Sequence, residues 1–244
     1  MATHVDQLSA VGISELTRKF GDRTVLDRIS LDIAPGEFVA LLGHSGSGKS
    51  TLLRAIAGLD HSVRGSGDVR APERLSMVFQ DSRLLPWRRV LPNVILGATG
   101  DDIVERGTAA LAEVGLAGRE RAWSNQLSGG EAQRAALARS LVWEPELLLA
   151  DEPFGALDAL TRTKMHALLR ELCVRHRPAV LLVTHDVDEA IVLADRVVIL
   201  QNGRIGLDFP IELPHPRSYR DQHLAEYRER LLAALGVPTG ELTA

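Results

Sequence analysis

Cysteine occurs once in the 244 residues, as Cys173, and lysine only three times, as Lys19, Lys49 and Lys164. A lone cysteine excludes an internal disulfide framework and a Cys-based zinc site, so a reducing cytoplasmic setting is the expectation. No stretch approaches the roughly 18 apolar residues that a membrane-spanning helix needs. The first sixteen residues lack a basic segment followed by an apolar run, so no secretory signal is expected. Any membrane association would come through a partner. Cationic excess is also missing: 28 basic against 32 acidic residues give a formal net charge of −4. That excludes a protein held to nucleic acid by a bulk positive field. The 25 basic residues that are not lysine are all arginine, so any motif requiring lysine can be checked position by position.

What is present is an ordinary globular composition, 45 % apolar and 25 % charged, long enough for one large α/β domain. Residues 13–33 alternate as strands around a turn at Gly21-Asp22. Continuous apolar runs at 37–42, 146–150, 179–184 and 196–200 read as buried strands, the last preceding a turn at Asn202-Gly203. Helical patterns lie between them, one carrying Leu160, Met165, Leu168, Leu169 and Leu172. Apolar strands alternating with helices predict an α/β fold with a mostly parallel sheet. Residues 85–145 have no such run and read as an inserted helical subdomain. Beyond Gly206 the chain is rich in Pro and Arg, and Ser218 to Leu235 reads as an amphipathic helix with a packing role.

Gly43-His44-Ser45-Gly46-Ser47-Gly48-Lys49-Ser50 matches G-x-x-x-x-G-K-[ST] between a strand and a helix. Its glycines let backbone N–H groups converge on an anion, and the helix that follows adds its N-terminal partial charge. Lys49 would reach the β- and γ-phosphates and Ser50 would bind Mg²⁺, with Thr51 completing the cradle. Given this chain's own composition, about 0.002 chance matches are expected, because lysine is so scarce. This is a nucleotide site. Leu147-Leu148-Leu149-Ala150-Asp151-Glu152 is an apolar strand that ends in two carboxylates. In phosphate-loop NTPases the first of such a pair holds Mg²⁺. The second can accept a proton from an attacking water. No Asn-Lys-x-Asp run exists, which argues against guanine recognition.

Leu127-Ser128-Gly129-Gly130-Glu131 followed by Ala132-Gln133-Arg134 resembles the signature of ATP-binding cassette (ABC) ATPases. By itself Ser-Gly-Gly reads as a helix N-cap turn. The family order is also kept: phosphate loop, Gln80, signature, acid pair, Asp158, His185. The resemblance covers residues 13–205 as an ATPase domain, with 206–244 as a short C-terminal extension. It implies a phosphate-loop NTPase fold with N-terminal antiparallel strands, ATP and Mg²⁺ as ligands, and two copies sandwiching two nucleotides. Ser128, Gly129 and Gly130 would bind the γ-phosphate held by the second copy. Phe20 matches the aromatic that stacks on adenine, a core position being the competing reading. Gln80 matches the glutamine that touches Mg²⁺, and His185 the histidine that contacts the γ-phosphate. Asp158 matches the loop at the dimer seam, where capping the next helix is the alternative. The family's usual fifth signature residue is Gln, and Glu131 departs from it.

The resemblance further implies transport: an ATPase on the cytoplasmic face of the bacterial plasma membrane, driving two transmembrane permease subunits and served indirectly by a solute-binding protein. Asp81-Ser82-Arg83-Leu84-Leu85-Pro86-Trp87-Arg88-Arg89-Val90 lies where the family receives its membrane subunit, and a Trp flanked by Arg suits a protein–protein hot spot. This stretch is similar to that of importers for nitrate, taurine and alkanesulfonates. The segments 154–162 and 176–190, with the run 164–168, resemble the aliphatic-sulfonate group. Taurine or nitrate import remains the alternative, as do the ABC ATPases of translation and DNA repair, from which one cassette and no sustained heptads separate this chain.

A planar guanidinium cannot replace a compact ammonium inside a tight phosphate loop. Lys49→Arg is therefore expected to abolish ATPase turnover, and Lys49→Ala to weaken nucleotide binding itself, as nucleotide titration would show.

Overall fold

The computed structural model describes residues 9–217 and 223–237. The chain divides into two compact units, one made of residues 1–72 and 179–244 and the other of 73–178. In the first, β1 (Val11–Phe20) and β2 (Arg23–Ile33) form an antiparallel hairpin with Phe20 opposite Arg23, as the turn at Gly21-Asp22 predicts. A strand not anticipated from sequence, β4 (Arg64–Arg70), pairs antiparallel with the other side of β1. Its sequence, RGSGDVR, is almost wholly exposed and has no apolar alternation to announce it.

Burial decides the rest of this unit. β3 (Phe38–Leu42) and β7 (Ala179–Val183) are buried at every residue, and β8 (Arg196–Gln201) at four of six. A strand with no solvent face must be covered on both sides, which suits parallel pairing. β3 lies between β7 and β8 and runs parallel to both. Helix α1 (Lys49–Ile56) packs on β7 and α6 (Val187–Leu193) on β3. β9 (Arg204–Pro210) adds antiparallel to β8 across the Asn202-Gly203 turn, a strand not anticipated although Ile205, Leu207 and Phe209 alternate along it. Arg196 ties three elements together through Glu37 at 2.7 Å and Asp208 at 3.0 Å. Partly exposed pairs contribute about 1 kcal/mol or less. Each fully buried Leu or Val side chain contributes about 1.5–3 kcal/mol, so apolar burial sets the register.

In the second unit, β5 (Leu75–Phe79) pairs parallel with β6 (Leu147–Asp151), with Phe79 opposite Asp151. Between them in sequence come α2 (Val90–Val94), α3 (Ile103–Glu113), a 3-10 turn at Ser124–Gln126 and α4 (Gly129–Leu141). These three helices pack on one another, and α4 also packs on β5 and on α5 (Ala159–His176). On α5, Met165, Leu169 and Leu172 are buried, whereas Leu160 is 67 % exposed and Cys173 half-buried.

The C-terminal helix, α7, spans Leu224–Ala234. Residues 218–222, where the helical pattern was expected to begin, lie outside the described residues. Among the described residues no helix is long and apolar enough to cross a membrane.

Candidate functional site

The site residues expected from sequence fall in both units, and each group has its own geometry. In the first unit, β3 runs into the phosphate loop and α1 begins at Lys49. Gly48 has φ +109°, and a Cβ there would stand 2.8 Å from Leu26 Cδ2, so only glycine permits this turn. The Lys49 side chain is buried, and its Nζ donates to the carbonyls of Gly43 at 2.7 Å and His44 at 3.1 Å. Ser47 N–H donates to the His44 carbonyl at 3.1 Å, closing the loop on itself. Ser47 Oγ is buried without a hydrogen-bond partner, and a Cβ at Gly43 would approach it to 2.8 Å. An orphaned hydroxyl in a cradle too tight for a Cβ, next to a buried ammonium at a helix N-terminus, fits a polyphosphate. Ser50 and Thr51 follow in the first turn of α1, half-buried. His44, Ser45 and Gly46 form one wall of an open cleft whose other wall includes Thr24 and Asn202.

The parallel register carries a second residue to the same level. Leu41 is opposite Val183, and Thr184 N–H donates to the Leu41 carbonyl at 3.2 Å. Gly43 and His185 therefore leave adjacent strands together, at the carboxyl ends where α/β sheets take ligands. Thr184 Oγ1 accepts the Asp186 N–H at 3.0 Å, and Asp186 caps α6 through the N–H groups of Asp188 and Glu189. His185 is exposed between two tethered neighbours. Phe20 ends β1 at the hairpin tip, 49 % exposed, so it is not a core residue and is free to stack.

In the second unit the register of β5 on β6 sets Gln80 and Glu152 one residue beyond the paired Phe79 and Asp151. Glu152 sits in the left-handed region at φ +47°, costly for a residue with a Cβ and frequent at functional turns. Gly155 N–H donates to its carbonyl at 3.1 Å, and the Gln80 amide lies 3.2 Å from where a Gly155 Cβ would be. Asp158 caps α5, accepting from Thr161 N–H at 2.9 Å and from Thr161 Oγ1 at 2.7 Å. Those bonds, the backbone one first, hold its carboxyl below the usual Asp range.

Ser128 is the N-cap of α4 and forms a capping box with Glu131. Ser128 Oγ accepts the Glu131 N–H at 3.3 Å, while Glu131 Oε2 accepts the Ser128 N–H at 2.9 Å. Arg119 donates to Glu131 Oε1 at 2.8 Å. The Ser128 N–H first, then the Ser128 side chain and Arg119, hold the Glu131 carboxyl below its ordinary range. Where the family pattern has Gln, this carboxylate closes the capping box and Arg119 offsets its charge. A Cβ on Gly130 would meet Thr161 Cγ2 at 2.8 Å, so the signature glycine lets the start of α4 meet the start of α5.

Two side chains that sequence reasoning passed over shape the stretch after Gln80. Asn93 is fully buried and donates to the carbonyls of Leu85, Arg88 and Arg89, while accepting the Leu85 N–H at 2.6 Å. Arg139 donates to the carbonyls of Ser82 and Arg83. These bonds hold the segment so that Trp87 is presented to solvent, 70 % exposed. An asparagine inside an apolar helical run, VLPNV, is the only sequence signal that could have flagged the first of them.

The parallel strands, the phosphate loop and its buried lysine define a phosphate-loop NTPase. Residues 26–155 match the ABC transporter family. The chain is 76 % identical over 239 residues to the aliphatic sulfonates import ATP-binding protein SsuB 2 of Streptomyces avermitilis, covering 97 % of this chain and 96 % of that one. It is 66 % identical to the protein of the same name from Rhizobium johnstonii, covering 97 % of each. The chain belongs to the ABC transporter family. Among solved structures it resembles the dimeric ABC transporter cassette MJ0796, with TM-score 0.70, 31 % identity, and 84 % of this chain and all of that chain covered. The same cassette in a post-hydrolysis state bound to ADP and Pi gives TM-score 0.71 with the same identity and coverage.

Glu131 provides a pH test of the signature turn. A carboxyl held low in the folded state stabilises it above the unfolded pKa, about 4.3 for Glu, and that contribution is lost as pH falls through the folded value. Gln can complete the same capping box without titrating. Wild type is therefore expected to lose more thermal stability than Glu131→Gln on going from about pH 6 to about pH 4 or below, in melts of the two proteins side by side.

Proposed function

We propose that this chain is the ATP-hydrolysing subunit of an ABC importer for aliphatic sulfonates. The observation that carries the reading is the buried Lys49 ammonium, closed on the carbonyls of its own glycine loop at the head of α1. The solute assignment is supported by the names of the relatives alone, because in such importers the solute passes through other subunits. Import of taurine or nitrate is the nearest alternative.

The ATPase domain spans 13–205 with residues 85–145 inserted, and the extension from 206 begins within β9. Phe20 stacks on adenine. Residues Gly43 to Thr51 cradle the phosphates, with Lys49 on the β- and γ-phosphates. Ser50, Asp151 and Gln80 supply a hydroxyl, a carboxylate and an amide oxygen, the hard donors that suit Mg²⁺ shared with substrate phosphates. Among the described residues no group of three or more His, Cys, Asp or Glu could hold a metal. Bound there, Mg²⁺ would neutralise charge on the phosphate oxygens.

Glu152 orients water for in-line attack on the γ-phosphorus and accepts its proton, and His185 holds a γ-phosphate oxygen. The P–O bond to ADP breaks as the water oxygen bonds, so catalysis is mainly positioning and charge balance. Ser128, Gly129 and Gly130 bind the γ-phosphate carried by a second copy, with Asp158 at that seam. The likeness to a dimeric cassette supports this arrangement. Two permease subunits dock near Gln80–Val90 on exposed Trp87, leaving the chain peripheral on the cytoplasmic membrane face. A solute-binding protein acts through those permeases, and no nucleic acid is involved.

Glu152→Gln is expected to retain ATP binding and to lose about 10²–10⁴-fold in turnover. Near-normal hydrolysis in that variant overturns the assignment. Deleting the gene should abolish growth on an alkanesulfonate as sole sulfur source while sparing growth on nitrate. Loss on nitrate with growth retained on alkanesulfonate would overturn the solute.

A further inference from the structure

The C-terminal helix has a more specific position than packing requires. Every α-helix ends with backbone carbonyls that have no partner within the helix. In α7 the last turn closes on itself through Gly236, at φ +79°. Leu235 N–H donates to Leu231 O, Gly236 N–H to Ala233 O and Val237 N–H to Leu232 O. Two carbonyls remain beyond this turn. That of Ala234 accepts from Gln201 Nε2 at the end of β8, and that of Leu235 accepts from the ring Nε2 of His44 at 2.7 Å. His44 is the second residue of the phosphate loop.

The helix that offers these carbonyls is itself fixed along its length. Leu224 and Leu231 are buried. Arg228 pairs with Asp188 on α6 at 2.6 Å. Tyr227 stacks on Phe209 of β9 with centroids 6.2 Å apart, and Arg230 lies over the same ring at 4.2 Å. The side chain of an exposed, glycine-flanked loop residue is thus tied to a rigid anchor more than 180 positions away in sequence. Fixing a loop before its ligand arrives lowers the ordering cost that binding must otherwise overcome.

We propose that α7 positions the phosphate loop through the hydrogen bond from His44 to the Leu235 carbonyl, so that ATP affinity depends on the C-terminal helix. His44 is a positioning residue in this proposal: its ring acts on the loop through α7 and not on the nucleotide. The proposal rests on the reading of residues 43–51 as the nucleotide loop. Coupling of this kind is reciprocal, so nucleotide must also tighten the end of α7.

The test compares the ATP dissociation constant and the steady-state KM and kcat of the full chain with three variants: His44→Ala, a chain ended after Ala233, and the two combined. A chain ended after Val237 serves as control. One neutral hydrogen bond contributes about 0.5–1.5 kcal/mol, so His44→Ala and the shorter chain are each expected to weaken ATP binding roughly 2- to 10-fold. The combination should be no weaker than either alone, the control should match the full chain, and kcat of the chain ended after Ala233 should stay within about 2-fold. Multiplying effects overturn the proposal. Weakening by His44→Ala with no effect of truncation also overturns it, since the ring would then act directly on the nucleotide. Should the shortened chain not fold, amide exchange on the unaltered protein decides: ATP must slow exchange at Leu235 to Val237, and unchanged rates overturn the proposal. A full chain that binds no ATP would instead remove the nucleotide reading on which it rests.

Discussion

A lysine ammonium shut inside a glycine loop is the constraint on which the rest of the first unit depends. Lys49 is 7 % exposed, and a buried cation needs several oxygens around it. The protein supplies two from the loop's own backbone, at Gly43 and His44. That geometry exists only if residues 43–48 turn back within one helical diameter, which requires glycine where a Cβ would strike Leu26. It also requires the loop to start and end on elements that do not move. β3, buried at every residue, and α1, buried through Leu52, Leu53, Ala55 and Ile56, provide them. A phosphate reaching the loop would replace weak carbonyl dipoles by full charges around the ammonium, so this arrangement is poised toward an anion.

The second unit solves a different problem by similar means. Its candidate site residues sit on short turns at the ends of a two-strand parallel pair and at the starts of two helices. Such turns hold shape when their backbone groups are paired locally. Glu152 N-terminal to Pro153 takes a left-handed conformation held by the Gly155 N–H, and Asp158 and Ser128 each close a cap three residues on. Capping and ligand binding draw on the same feature, the unpaired N–H groups of a first turn. For that reason the N-cap reading and the anion-site reading of Ser128 are compatible: the cap fixes the turn and uses only part of the first turn's N–H groups. The cap that Asp158 makes is likewise compatible with its reading as part of the dimer seam.

How much of this was legible depended on the kind of signal. Fully buried strands announce themselves as apolar runs, and β3, β6, β7 and β8 were readable within a residue or two. β4 was not, because its polar, glycine-rich sequence mimics a loop, and β9 was passed over although Ile205, Leu207 and Phe209 alternate along it. The phosphate loop was legible because lysine is so rare here that the motif could not be an accident. Glu131 was legible as a departure but not as a compensated one. Its partner Arg119 is twelve residues away, and no spacing rule links them. Asn93 and Arg139 were missed for the same reason: each satisfies backbone carbonyls in a loop, which composition does not encode.

Long-range backbone acceptors of that kind recur across the first unit, and they explain why a C-terminal extension can matter to a loop near residue 44. Arg217 is buried and donates to the carbonyls of Ile191, Ala194, Ile211 and Leu213. One guanidinium thereby joins the end of α6 to residues 211–217 and fixes the path of that segment. With α7 held to α6 by Arg228 and to β9 by Phe209, its last carbonyls have a fixed place in the unit. A helix end so placed is a dipole terminus of partial negative charge. It attracts an N–H donor, and the donor it receives is the ring of His44. The arginine-rich composition that carries no bulk positive field therefore has a local purpose in this region: guanidinium groups bind scattered carbonyls and carboxylates, and through them bring distant segments of the chain to bear on the phosphate loop.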